Sequence, residues 1–366
     1  MSLQALDLHI HLAGAGGPGP RRDEKAASDE PPAEASVLSK PSQAQAAQAD
    51  VQEAAAGCWF HPRRLRAPGF RVMLWSLGIS RREARTRLGA ALRARLVQAL
   101  EGAPSLSAGV VLALDWARDE AGEPRPDLTD FYVPNDYVLA LAGAHEKVRA
   151  GVSVHPLRAD AAEELHRCAR AGAVLVKWLP TAQNFAPDDP RAAPFLAELA
   201  RLGMPLLCHT GSEGATRNLN KAWNDPRRLR AALDAGVTVI AAHAGMRSFF
   251  HEPDHMDAWV GLCADYPHLY GDTASLFGLR ARHLIRALDR PYVVDRLVHG
   301  SDWPVPASPW WFLGRVPVRR IRALARVESP LERDLRTKRA LGLPEAVFTR
   351  GHALLYSAQR PSRASS

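Results

Sequence analysis
The chain has 366 residues, 46% of them apolar and 23% charged, with a mean hydropathy of −0.20, which marks ordinary globular protein with enough chain for one large core or two small ones. No apolar run reaches the ~18–20 residues of a membrane span, and the four cysteines (Cys58, Cys168, Cys208, Cys263) form no CxxC pair, which excludes a disulfide scaffold and a thiolate zinc knuckle and fits a reducing cytoplasm. The net charge of +8 is nearly all arginine, scattered at helical spacing in stretches such as RREARTRLGAALRARL, so it reads as solvated helix faces and not as a nucleic-acid surface.

The opening MSLQALDLHIHLAG has neither a basic n-region nor a long apolar h-region, which predicts no signal peptide. It holds the first strand, LDLHIHL (6–12). Residues on a strand at i and i+2 share a face, so His9 and His11 can reach one ion at about 2.0–2.1 Å. Residues 14–56 are rich in Ala, Gly, Pro, Gln, Ser and Glu with almost no branched or aromatic apolar content. Such a stretch cannot offset its ordering entropy and is predicted to be a mobile insertion, partly helical near 43–56. An ordered cap follows, GCWFHPRRLRAPGFRVMLWSLGI, then a helix over 81–100.

From residue 109 the chain alternates. Apolar runs at 109–115, 151–155, 173–178, 205–209, 237–243, 268–272 and 296–302 are strand candidates, each continuous as expected of strands buried on both faces. Ala/Leu/Arg segments at helical spacing separate them (AAEELHRCARAG, APFLAELARLG, PRRLRAALDAG, LRARHLIRALD), several ending in Gly. With the first strand these make eight parallel βαβ-type units. They predict an α/β fold, a single closed (β/α)8 TIM barrel over residues 1–355 with the insertion after strand 1 and a frayed tail over 356–366. A doubly wound open sheet is the alternative.

The strand ends carry the chemistry: His9 and His11, Asp115, His155, Lys177, His209, His243, Asp272 and Asp302. From Lys177 on, the steps are 32, 34, 29 and 30 residues, one βα unit each, and a barrel puts all such positions around one mouth. Ionisable groups converging there are poorly solvated unless they hold a cation, which predicts a divalent metal. His209 and His243 each precede a glycine within one or two residues (CHTG, AHAG), where the backbone can turn away and leave the ring facing the mouth. Lysine is scarce in this chain, so Lys177 inside the apolar run VLVKWLP stands out.

The order HxH, Lys, His, His, Asp on strands 1, 4, 5, 6 and 8 resembles the amidohydrolase superfamily of metal-dependent TIM-barrel hydrolases, and DLHIHL with HGSDWP is most like its amidohydrolase-related branch of hydrolases, lactonases and non-oxidative decarboxylases. The resemblance covers strand 1 and most of 109–305. It implies that His9, His11 and Asp302 bind the more buried metal. His209 and His243 would then bind a second ion, or His209 would complete a mononuclear site with His243 catalytic, as in the decarboxylase relatives. In binuclear relatives the strand-4 lysine is carboxylated and bridges both ions; otherwise Lys177 pairs with Asp302 or a substrate carboxylate. Zinc suits a His-rich site, in one or two copies, while manganese, iron and cobalt are also permitted.

The resulting expectation is hydrolysis of an amide, ester or lactone of a small molecule through a metal-activated water, with Asp302 as the proton carrier and His243 or the metal polarising the carbonyl. The alternative is metal-dependent, non-oxidative decarboxylation of a small aromatic or unsaturated acid. A catalytically dead barrel serving as a scaffold is a rival of another class. His155, Glu213, Trp178 and Arg247 are candidate substrate contacts, and Asp115 and Asp272 candidate orienters of ligand histidines. No nucleic-acid or membrane partner is expected, and a homo-oligomer is compatible with the chain. Two motif matches are set aside: GAGGPG at 14–19 has no helix to follow it, and HEPDH at 251–255 carries Pro253 where a zincin needs helix.

Overall fold
The computed structural model describes residues 4–13, 51–275 and 279–356. The GxGxxG match, most of the predicted insertion and all but the first residue of the predicted tail lie outside these residues. Its far end does not: residues 51–56, predicted as part of the mobile insertion, are helical, and Val51 is buried.

Eight strands form one parallel sheet in sequence order: β1 (Ala5–His11), β2 (Leu106–Leu112), β3 (Val148–Val152), β4 (Leu175–Trp178), β5 (Leu206–His209), β6 (Val239–Ala242), β7 (Leu269–Asp272) and β8 (Leu297–Val298). Three backbone hydrogen bonds bring β8 back to β1, from Leu8 N–H to His299 O (3.0 Å), Asp302 N–H to His9 O (2.8 Å) and His11 N–H to Trp303 O (2.6 Å). This is the predicted TIM barrel. Helices follow most strands: α1 (Leu88–Glu101), α2 (Asn135–Ala144), α3 (Ala161–Arg170), α4 (Ala193–Arg201), α5 (Arg230–Asp234), α6 (Met256–Asp265), α7 (Leu279–Leu288), α8 (Pro330–Ala340) and α9 (Glu345–Tyr356). Gly172, Gly203 and Gly236 take positive φ after α3, α4 and α5, the stops their positions predicted.

Several predicted strands end earlier than their apolar runs, the last at Val298, four residues before Asp302. Leu114 leaves the barrel to pair antiparallel with Val133, and Ser153 N–H turns to Asn135 Oδ1 (2.8 Å), so Asp115 and His155 sit three residues past their strands. The predicted helix over 81–100 is likewise two helices, because Arg87 (φ −154°, ψ 37°) leaves helical backbone between Arg81–Thr86 and α1. A short ribbon, Trp59–Phe60 against Phe131–Tyr132, forms the cap.

The lower barrel interior is filled by Leu6, Leu8, Val110, Leu175, Leu207, Ile240 and Val298, and Leu355 of α9 packs against it. Leu6 and Leu8 point inward, so strict alternation would turn His9 outward. A β-bulge prevents this. Asp7 lies opposite Gly109 and Ile10 opposite Val111, three residues against two, and the extra residue reverses the phase so that Ile10 joins the outer core while His9 and His11 face the mouth. All four cysteines are free and buried, and among the described residues no helix is long and apolar enough to cross a membrane.

Where β8 closes on β1, a Cβ at Gly300 would lie 2.8 Å from His9 Cβ and 3.5 Å from Asp272 Cβ. Gly300→Ala is therefore expected to cost about 1–3 kcal/mol of stability by overpacking a rigid seam, read as a lowered denaturant midpoint; an unchanged midpoint would refute the tight closure.

Candidate metal centre
Barrel closure delivers the ends of β1, β7 and β8 to one point. His9 is fully buried, and its Nδ1 lies 2.7 Å from Asp272 Oδ2. Burial pushes the Asp272 carboxyl up, but His9 and the bonds Asp272 accepts pull it further down, below its usual value. As a carboxylate Asp272 has no proton to give, so the proton of that bond is on His9 Nδ1, and Nε2 is the nitrogen turned toward His11 and Asp302.

That Nε2 lies 2.9 Å from His11 Nε2 and 3.4 Å from Asp302 Oδ1, and His11 Nε2 lies 3.5 Å from the same oxygen. The three donor atoms form one group within 4.8 Å. Donors around an ion at 2.0–2.1 Å stand about 2.9 Å apart at a right angle and about 3.4 Å apart at a tetrahedral one. The donor set, two imidazoles and a carboxylate, thus fits a divalent ion in chemistry and in spacing.

Asp302 reaches this point from a left-handed backbone (φ 62°), held by its own N–H on His9 O and by Val305 N–H on its carbonyl (2.8 Å each). A non-glycine residue pays about 1–2 kcal/mol for that conformation. Burial pushes the Asp302 carboxyl above its usual value, against the pull of His9, Arg280 and Lys177. Lys177, on the inward face of β4 beside Leu175, is fully buried with Nζ 3.4 Å from His9 Nε2. Burial lowers its pKa, opposed by Asp272 and Asp302.

His243 follows an inward Ala242, so alternation alone would send it outward. Instead His243, Ala244 and Gly245 are all left-handed (φ 62°, 49° and 71°), and the turn swings the ring back over the mouth. Asp272 Oδ1 accepts the N–H groups of His243 (2.7 Å) and Ala274 (3.1 Å), so one carboxylate orients both His9 and this turn. The His243 ring lies 5.3 Å from that of His9 and 4.9 Å from that of His209. With Ala274 O 3.2 Å from Nδ1, that nitrogen carries the proton and Nε2 presents a lone pair. His209 turns Nε2 to Ser212 O (3.2 Å), with Glu213 Oε2 at 3.5 Å. Neither ring places a nitrogen in the three-donor group. Burial holds His11, His209 and His243 well below the usual histidine range, and the neighbouring cations add to it.

The structure corrects two expected substrate contacts. Trp178 alternates with Lys177 and so faces outward, fully buried against Phe185 and Phe195 with its indole N–H on Val154 O (2.9 Å); it is core. His155 is buried with both ring nitrogens occupied, Nε2 by Gln183 O (3.0 Å) and Nδ1 by Leu157 N–H (3.2 Å). Glu213 does stand in the mouth beside His209, its Oε1 holding the N–H groups of Ala215 and Thr216. Arg247 is half-buried on the loop after β6. Asp115 orients no ligand histidine; its oxygens take the N–H groups of Trp116 and His155.

Two residues escaped the sequence reading. Asp7 Oδ1 accepts the N–H groups of His9 (3.0 Å) and Ser301 (2.9 Å), tying the two ligand-bearing strands together. Arg280, on α7, is buried and donates Nη2 to Ser212 O. Asp7 was legible as a polar residue two before His9; nothing in LRARHLIRALD separates Arg280 from its solvated neighbours.

The sequence model of a family described as Amidohydrolase matches residues 6–348. No curated protein matches the chain. Among solved structures, an uncharacterized TIM-barrel protein from Bordetella bronchiseptica is similar at 16% identity and a TM-score of 0.55, covering 98% of this chain and 100% of that one. A proposed 2-pyrone-4,6-dicarboxylic acid hydrolase from Pseudomonas putida is similar at 16% identity and a TM-score of 0.50, covering 99% and 100%. At these identities the likeness is one of fold.

Asp272→Asn leaves His9 without its carboxylate partner and is expected to lower metal affinity about 10–100-fold, measured by competition with a chelating dye; unchanged affinity would remove Asp272 from this role. A separate test concerns His155, which burial holds at about 4. Between pH 6.5 and 4 only the unfolded chain takes that proton, so stability is full above 6.5 and falls with pH by about 1.4 kcal/mol per unit. Denaturant titrations of His155→Asn should show that slope reduced by the same amount.

Proposed function
The chain belongs to the amidohydrolase family and is an enzyme of that type, and from this premise we propose that it is a metal-dependent hydrolase of an amide, ester or lactone bond in a small molecule. The observation that carries the reading is the convergence of His9 Nε2, His11 Nε2 and Asp302 Oδ1 at the C-terminal end of the barrel, the face on which such barrels react their substrates. These residues would hold a divalent ion, zinc being the first choice for this donor set. When bound, such an ion lowers the pKa of a water toward about 7.

The remaining work belongs to the side chains. Asp302 takes the proton of the attacking water and returns it to the leaving group, acting at one buried carboxylate. Asp272 keeps His9 in the tautomer that presents Nε2. His243, neutral with its lone pair on Nε2, accepts a proton or a ligand bond beside the carbonyl group. Lys177 beside His9 would act neutral, or carboxylated, because an ammonium at 3.4 Å from a ligand nitrogen opposes a cation.

A second reading is decarboxylation of a small aromatic or unsaturated acid at a single ion: among the described residues there is one three-donor group, which would hold one ion, although His209, which would complete such a site, has its Nε2 turned to Ser212 O. Assays in ¹⁸O-labelled water against a panel of lactones, esters and aromatic acids distinguish the two, since hydrolysis incorporates the label and decarboxylation releases CO₂. In the same assays Asp302→Asn is expected to lower kcat/KM by about 10²–10⁴, with metal content measured alongside. Full activity with metal retained would overturn the assignment of Asp302.

A further inference from the structure
Arg280 is a buried arginine, 5% exposed, at the start of α7. Its Nη2 donates to Ser212 O, the oxygen that also lies 3.2 Å from His209 Nε2, so the guanidinium stands one shared acceptor away from the ring in the mouth. Its Nε is buried and meets no acceptor. The acidic groups that face it are Asp302, Glu213, Asp272 and Glu252, yet among the described residues none comes within ion-pair distance. Each has other work or none: Glu213 holds two backbone N–H groups, Asp272 holds His9, Asp302 belongs to the donor group, and Glu252 Oε2 is itself without a partner.

A permanently charged group buried without a paired counter-ion is costly, and folded proteins retain one where the charge serves binding. The guanidinium fork matches one ligand group best, a carboxylate taken by two parallel N–H···O bonds. A second arginine stands close by in the fold. Leu279 N–H bonds Ser248 O (3.3 Å), which joins the neighbours of Arg280 and Arg247, and Arg247 Nε is also buried without an acceptor. We propose that Arg280 is a specificity-determining residue that anchors a carboxylate of the substrate, so that the enzyme acts on small carboxylate-bearing carbonyl compounds and discriminates against their neutral analogues. The inference rests on reading the barrel mouth as the substrate site.

The test uses zinc-loaded wild type, Arg280→Met and Arg280→Lys, with calorimetric titration of isophthalate and of the neutral, isosteric isophthalamide. Wild type should prefer isophthalate by at least about 30-fold, the worth of charge-assisted hydrogen bonds. The preference should fall to near unity in Arg280→Met and be partly restored in Arg280→Lys. Wild type with no preference, or a preference that survives Arg280→Met, overturns the proposal. Unfolding without ligand provides a second readout. If the charge is kept for binding, Arg280→Met raises the denaturant midpoint. A lowered midpoint would make Arg280 a counter-charge to Glu213 and Glu252 and would also overturn it. Neither readout uses turnover, so a chain that prefers isophthalate but neither hydrolyses nor decarboxylates keeps this inference and loses the proposed function.

Discussion

One buried carboxylate organises the mouth of this barrel. Asp272 ends β7 with no exposure to solvent, gives one oxygen to His9 Nδ1 and the other to the N–H groups of His243 and Ala274. Buried charge is tolerated only when its bonds are made, and here each bond fixes something the site needs. The first sets which nitrogen of His9 faces Asp302. The second holds the left-handed turn that carries His243. Removing Asp272 would leave both histidines present but unaimed, which is why residues outside the donor group matter as much as those in it.

The same dependence on neighbours appears in the seam between β8 and β1. Asp7 binds the N–H groups of His9 and Ser301, Asp302 N–H binds His9 O, and Lys338 of α8 donates to Gly300 O (2.7 Å) from a fully buried position beside Asp334. Gly300 lets the two strands approach because it has no Cβ to meet that of His9. Closure of the barrel and assembly of the donor group are therefore one event: His9 and Asp302 are near each other because the last strand has found the first.

Much of this was legible in the linear chain. The alternation of apolar runs with Ala/Leu/Arg segments predicted eight parallel strands, and the repeat of polar strand ends at one-unit intervals predicted a shared mouth. Lys177 stood out because lysine is scarce, and the structure does bring it to His9. What periodicity could not tell was facing. Trp178 and Lys177 are neighbours in one short apolar run, and only the inward packing of Leu175 decides that the lysine lines the barrel and the tryptophan joins the outer core. His155 looked like one more mouth residue, yet its strand ends three residues earlier and its ring is spent on two backbone groups. Arg280 gave no signal, since an arginine in an amphipathic helix is ordinarily solvated and its burial follows from where α7 docks.

Residue types and spacing by themselves determined the fold class, the strand count and which polar groups stand near the strand ends, because these follow from hydrophobic periodicity and the length of a βα unit. The tertiary structure alone decided which way those groups point. His9 faces inward only because a bulge in β1 inserts one residue against β2, and His243 faces inward only because three residues in succession adopt left-handed backbone. Both depart from the regular period that makes a sequence readable. Each persists because interactions distant in the chain, from Asp7 to Ser301 and from Asp272 to His9 and His243, stabilise a local conformation that the local residues would not choose.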